Sequence, residues 1–580
     1  MVQCVIRGGE VVDGTGAPPR RADVWIDDGR VVAIGDAVDG GEDSPSDADQ
    51  TIDAEGLTVA PGFVDIHTHY DAQAFWDPAL TPSPLHGVTT VVGGNCGFTI
   101  APLEPSEADY LMRMLARVEG MPLESLTAGV PWDWRTFGEY LDRLDGTLAV
   151  NAGFLVGHSA IRRAVMGDAG TGEAATPDQV AAMGLLLGES LAAGGLGFSS
   201  SQAPTHNDGD GNPVPSRSAT RDELVALAGV VRDHPGTTLE FIPTVGPFGD
   251  EHIELMTALS LAANRPLNWN VLVVGGATDT YSAQLAASDH ARERGARVLA
   301  LTVPSVMQLH LNFRSGFIFD ALPGWGPTMA LPVDEKRRAL LDPAVRDRLR
   351  EGAEADGGMF KRLLRWDRLR IAETFAPENA GIAGRTVGEV VAERGGDPFD
   401  VLLDVAVADD LRTVILPPVA GDDADAWRAR ARVWQDDRVV VGASDAGAHL
   451  DMLATFSFST SLLAAARQHG LLPIEESVRL LTDVPARLYG LRRRGRLAEG
   501  WHADVVVFDP DTIAPGPVHT RADLPAGASR LYAEAEGIAH VLVGGTEIVR
   551  GDALTGARPG TLLRSGRDTE TVEVPGGAAA

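Results

Sequence analysis

Val59-Ala60-Pro61-Gly62-Phe63-Val64-Asp65-Ile66-His67-Thr68-His69-Tyr70 carries two histidines one residue apart at the end of an apolar, β-branched run. Residues i and i+2 of an extended strand face the same side, so both imidazoles can be aimed at one point. Two neutral imidazoles converging at a strand end are half of a first-row metal site. Taken alone, the pair reads equally well as two partly exposed turn histidines. Pro61-Gly62 marks the start of the strand, and a distant apolar run closes on a carboxylate, Val439-Val440-Val441-Gly442-Ala443-Ser444-Asp445. That second feature turns the reading towards a metal.

Outward from Gly62–Ile66, seven further strand-like runs follow: Val88–Val92, Leu148–Leu155, Gly195–Ser199, Thr237–Ile242, Leu267–Val273, Arg297–Thr302 and Val439–Ala443. Helical stretches such as 177–187 and 221–231 separate most of them. Eight strands alternating with crossover helices predict an α/β fold, a (β/α)8 TIM-like barrel. A doubly wound sheet is the alternative, but no Gly-rich phosphate fingerprint follows the first strand. Residues 1–58 and 496–580 read as short strands and turns, which predicts a small β-sandwich domain formed from both termini around a barrel over 59–495. Asp39–Asp49 reads as a polar surface loop and Pro575–Ala580 as a frayed tail. The interval 306–437 is too long for a connection. Its amphipathic stretches at Asp334–Trp366 and Thr386–Val407 predict a helical insertion over the barrel mouth, before the last strand.

The formal charge of −32 over 580 residues argues against nucleic acid, whose phosphates would be repelled. No apolar run is long enough to span a bilayer, and the opening residues read as strand and turn rather than as a signal peptide. Cys4 and Cys96, the only cysteines, offer no disulfide framework and suit a reducing cytoplasm. A small molecule is therefore the expected partner. Assembly into a homo-oligomer is compatible with this composition but not specified by it.

Function in a barrel gathers at the C-terminal ends of strands. The second run ends in Gly93-Gly94-Asn95-Cys96-Gly97, where Cys96 is either core filler or a thiolate ligand. The third ends at His158, either a surface-loop histidine or a functional one. Asp445, at the end of the eighth, is placed to touch a metal and its water, with a helix N-cap as the plain alternative.

Ala60-Pro61-Gly62-Phe63-Val64-Asp65-Ile66-His67-Thr68-His69, Gly87–Gly97, Val156-Gly157-His158-Ser159 and Ser444-Asp445-Ala446-Gly447 together resemble the amidohydrolase superfamily, specifically its D-aminoacylase (N-acyl-D-amino-acid deacylase) branch. Leu497–Asp509 matches the superfamily's return to its β domain. The resemblance implies metal ligation by His67, His69 and Asp445, with Cys96 as a bridging or additional ligand. Many superfamily members bridge two metals through a modified strand lysine. Here the only lysines, Lys336 and Lys361, lie on no predicted barrel strand, which leaves Cys96 as the anionic substitute. The chain departs from its relatives at the fifth and sixth strands, which carry Glu240, Asn268 and Asn270 in place of the usual histidines. Glu240 can replace one ligand, so one zinc ion is favoured over two.

The chemistry expected is hydrolysis of the amide of an N-acyl amino acid by a metal-activated water. Asp445 would shuttle the proton and His158 would stabilise the oxyanion. Arg162 or Arg163 would receive a substrate carboxylate, and His449 and His310 could touch substrate. Deacylation of an Nε-acyl-lysine, hydrolysis of a cyclic amide or imide, and a barrel that binds metal without catalysis remain as alternatives.

Overall fold

All eight predicted runs form parallel strands in the computed structural model, which describes residues 2–35, 48–275, 281–316, 318–355 and 365–576. Phe63–Asp65, Val88–Gly93 and Asn151–Phe154 make a three-stranded sheet. Val156–Gly157, Gly197–Ser201, Thr238–Ile242, Leu267–Leu272, Val298–Thr302 and Val439–Val441 make a six-stranded one. The third run is thus split between the two sheets at Leu155, whose N–H still bonds Gly93 O at 3.0 Å. At the other margin His69 N–H bonds Ala446 O at 2.7 Å and Asp445 N–H bonds His67 O at 3.1 Å.

Side-chain alternation decides what each strand buries. Val64, Ile66, Val92, Leu299, Leu301 and Val440 pack into one apolar cluster between the strands. Their neighbours Phe63, Val88, Val91, Val439 and Val441 instead join the larger core that includes the helices. Helix Pro177–Ala192 starts on a capping box of Thr176 and Gln179, and Arg221–Val231 starts on the Thr220 hydroxyl.

Both ends of the chain enter one nine-stranded sheet. Thr58–Pro61 lies between Val2–Val11 and Val505–Phe508, and Val505–Phe508 pairs on its other edge with Ile538–Val543. Thr58–Pro61 then continues into the first parallel strand through Gly62 alone. A Cβ on Gly62 would lie 2.2 Å from the Thr89 side chain, so only glycine fits that crossing.

The interval between the last two parallel strands builds its own apolar core, with Phe313, Trp325, Leu369, Ile371 and Phe399 buried together. It contains helices Val333–Ala339, Pro343–Ala355, Val387–Arg394 and Pro398–Ala408. It also contains an antiparallel pair, Arg370–Glu373 with Val414–Leu416, that the amphipathic pattern did not indicate.

Two terminal expectations change. Ala48 and Asp49 open a strand, Ala48–Asp53, while 39–47 of the expected loop lies outside the described residues. Pro575 and Gly576 are docked rather than frayed: Gly576 N–H bonds Gly295 O at 2.8 Å, because the preceding Val574 is buried. Residues 577–580 lie outside the described residues.

Candidate metal centre

His67 and His69 follow directly on the first parallel strand, and both point Nε2 at one spot. Cys96 Sγ lies 3.4 Å from His67 Nε2 and 3.7 Å from His69 Nε2. Asp445 Oδ1 lies 3.2 Å and 3.4 Å from the same two nitrogens. A tetrahedral ion with bonds of ~2.0–2.1 Å to nitrogen and ~2.3 Å to sulfur requires ligand–ligand edges of about 3.3–3.7 Å. The His–Cys separations fall in that range, and His67, His69 and Cys96 offer ligand atoms all within 4.8 Å of one another, with Asp445 against both imidazoles, so the residues fit a metal.

The backbone is bent to achieve this. Cys96 (φ 57°) and Asp445 (φ 54°) both occupy the left-handed region, uncommon for residues with a side chain. Asn95 Nδ2 holds the Cys96 turn in place by donating to Thr68 O at 3.1 Å and to Val92 O at 2.9 Å. Ser444 Oγ donates to Asp65 Oδ2 at 2.6 Å, tying the eighth strand end to the first.

Three further buried groups surround the four donors. Glu240 Oε2 accepts the Cys96 N–H at 2.8 Å, while its Oε1 has no hydrogen-bond partner among the described residues. Asn270 Nδ2 lies 3.2 Å from His67 Nε2, and its Oδ1 is likewise unpartnered. Glu119 Oε1 lies 3.3 Å from His69 Nδ1 in an ion-pair contact behind the ring. Sequence reasoning missed Glu119, which follows helix Ala108–Val118 and carries no strand-end signal.

Burial pushes the Glu240 carboxyl up to about 8 and the Cys96 thiol well above its usual range. Burial also acts to raise Asp445, but hydrogen bonds from His67 and His69 hold it well below the ordinary carboxylate range. Burial acts to lower His69, and the neighbouring Glu119 and Asp445 outweigh it, raising the ring to about 9. So much buried acidity around one point calls for a cation.

The structure does not bring His158 into this cluster. It is the first residue of helix His158–Met166, with Nδ1 2.9 Å from Ser200 Oγ and Nε2 2.9 Å from Glu223 Oε1. Both ring nitrogens are engaged, which leaves neither for a substrate oxyanion. Glu223 also takes both bonds from Arg162 Nη1, at 2.5 and 2.6 Å, so Arg162 is not open to a substrate carboxylate either. Arg163 pairs with Glu107 and Asp168 and lies over the Tyr110 ring.

This His158–Glu223–Arg162 triad is wholly buried. Glu223→Ala leaves a guanidinium uncompensated, and we expect a stability loss of about 3–5 kcal/mol in urea denaturation, with metal content retained. An unchanged unfolding midpoint would remove the triad's structural role.

His449 N–H bonds Glu119 O at 2.5 Å, which places its backbone beside the centre. His310 is buried, with ring Nδ1 unpartnered among the described residues. Lys336 lies on a helix of the inserted segment and donates Nζ to Arg314 O at 2.8 Å, away from every strand end; Lys361 lies outside the described residues.

Residues 50–549 match the profile of the Amidohydrolase family. D-aminoacylase from Alcaligenes xylosoxydans xylosoxydans is 30% identical over 564 residues, covering 96% of this chain and 97% of that protein. Among solved structures, N-acyl-D-glutamate deacylase from Bordetella bronchiseptica, complexed with zinc and a phosphonate mimic of the tetrahedral intermediate, superposes with a TM-score of 0.63 at 27% identity, covering 97% of this chain and 100% of that one. A D-aminoacylase structure concerned with its binuclear metal centre, and with one-metal activation and second-metal attenuation, matches at the same TM-score with 26% identity and the same coverage.

Proposed function

The chain belongs to the amidohydrolase family, and from that membership we propose that it hydrolyses the amide bond of N-acyl amino acids at the His67–His69–Cys96–Asp445 centre. The observation that carries this is the convergence of His67, His69 and Cys96, whose ligand atoms lie within 4.8 Å of one another, with Asp445 Oδ1 3.2 and 3.4 Å from the two imidazoles, at the ends of the first, second and eighth parallel strands. These four residues would hold one zinc ion. When bound, the ion polarises the amide carbonyl and lowers the pKa of water towards ~7.

Asp445 would take a proton from the attacking water and return it to the departing nitrogen. Water thus adds across the C–N bond, giving a carboxylate and an amine. Glu240 fixes the Cys96 turn through the Cys96 N–H, and Glu119 pairs with His69. No imidazole from the fifth or sixth strand joins them, and this favours one ion over two.

The architecture proposed is a closed (β/α)8 barrel over 59–495 with a helical cap at 306–437, and a β-sandwich from 1–58 and 496–580. Closure is supported by the bonds linking His69 to Ala446 and Leu155 to Gly93.

A cavity of about 210 Å³ is lined by Val271, Val303, Met307 and Arg430, and by none of the four donors. The Arg430 guanidinium is buried and commits Nη1 to Gly421 O at 2.6 Å. We assign it to the amino-acid half of the substrate: Arg430 meets the α-carboxylate and the valines meet an apolar side chain.

A panel of N-acyl-L-, N-acyl-D- and Nε-acyl-lysine substrates, N-acyl amines and cyclic imides tests both parts. N-acyl amino acids are expected to be cleaved in preference to acyl amines, and Arg430→Met is expected to erase that preference through KM. Preferred cleavage of Nε-acyl-lysine or of imides would replace this reading. No turnover by a metal-replete chain would reduce the protein to a metal binder.

A further inference from the structure

Ser201 ends the fourth parallel strand, Gly197–Ser201, and the loop after it brings His206 back over the strand end. His206 Nδ1 lies 2.8 Å from Ser201 Oγ. That oxygen also accepts the Ala203 N–H at 3.2 Å, and its hydroxyl proton has no other acceptor among the described residues. The hydroxyl therefore donates to Nδ1. An imidazole that accepts at Nδ1 carries its proton on Nε2, and Nε2 has no hydrogen-bond partner among the described residues.

The ring is braced on one face and its backbone is anchored. It packs on Phe98, with centroids 5.1 Å apart, only two residues beyond Cys96. Its backbone N–H bonds Ala203 O at 3.0 Å, and its carbonyl accepts from Arg217 Nη1 at 3.0 Å and from Val214 N–H at 3.2 Å. Burial, together with the nearby His449 and opposed by Asp445, lowers the ring to about 3, so it is neutral at physiological pH. A fixed, neutral N–H donor beside a hydrolytic centre is preorganised for charge that develops during reaction.

We propose that His206 is a catalytic residue, its Nε2–H donating to the substrate's carbonyl oxygen as that oxygen gains negative charge. This rests on the amide hydrolase reading above. No proton is transferred: the Nε2–H bond persists throughout. Ser201 is a positioning residue, since it selects the tautomer. His206 thus takes the role that His158 cannot fill.

The test uses the full-length, metal-loaded chain with its best N-acyl amino acid. His206→Ala is expected to lower kcat by about 10²–10³-fold, with KM changed less than about threefold and metal content unchanged. In His206→Gln the side-chain amide restores an N–H near the Nε2 position, and about a tenfold part of the loss should be recovered. Ser201→Ala should lower kcat less than His206→Ala does. Independently of substrate, 15N spectra of histidine-labelled protein should show the His206 proton on Nε2 at neutral pH.

Wild-type kcat in His206→Ala, or a proton on Nδ1, overturns the assignment while leaving the hydrolase reading intact. Equal losses in the Ala and Gln variants overturn it as well. A wild-type chain that hydrolyses no amide overturns both, and is recognised before any variant is made.

Discussion

Asp445→Asn is expected to lower kcat by at least about 10²–10⁴-fold while the circular dichroism spectrum and the unfolding midpoint stay close to those of the parent. Asparagine is the informative substitution because Asp445 sits at φ 54°. Asn tolerates the left-handed region far better than other residues with a side chain, so the local backbone survives. What disappears is the carboxylate that stands 3.2 and 3.4 Å from the two imidazoles. An amide cannot accept the water's proton and is a poorer ligand. Metal analysis separates the two losses: metal retained with turnover gone assigns Asp445 chiefly to proton transfer, whereas metal lost assigns it chiefly to ligation. Undiminished hydrolysis by this variant would exclude the mechanism altogether.

Cys96→Ser should strip metal from the protein. The thiolate is the softest donor of the set and lies 3.4 and 3.7 Å from the imidazole nitrogens. Losing a partner that merely hydrogen-bonds a ligand typically costs 10–100-fold in metal affinity, so loss of a direct ligand should cost at least about 100-fold. Serine preserves the size and the polar tip, and the turn is held independently by Asn95 and by the Glu240 bond to the residue 96 backbone N–H. The fold should therefore persist. Elemental analysis after dialysis should fall from about one ion per chain to a small fraction of that. An unchanged stoichiometry would make Cys96 a core residue and leave the site with His67, His69 and Asp445.

Much of this was legible from the chain because ligation at strand ends is a local property. His67 and His69 share a side through the two-residue period of an extended chain. Apolar runs bounded by glycine located all eight strands, with boundary shifts of up to about three residues, as is usual where strand ends fray into turns. The capped helices were legible for the same reason, since Thr176 with Gln179 and Thr220 with Glu223 are neighbours in sequence.

What the sequence could not rank was which polar side chains face one another. Its features did determine the alternating α/β order, the convergence of His67, His69 and Asp445, and a thiol placed to join them. Only the tertiary structure decided that Glu119 backs His69, that His158 belongs to Glu223 and Arg162 rather than to the centre, and that His206 stands over the fourth strand end. The reason is distance along the chain. His158 and Glu223 are 65 residues apart, and His67 and Asn270 are 203 apart. A buried imidazole goes to whichever partner the packing of separate helices and strands delivers, and no local spacing encodes that choice.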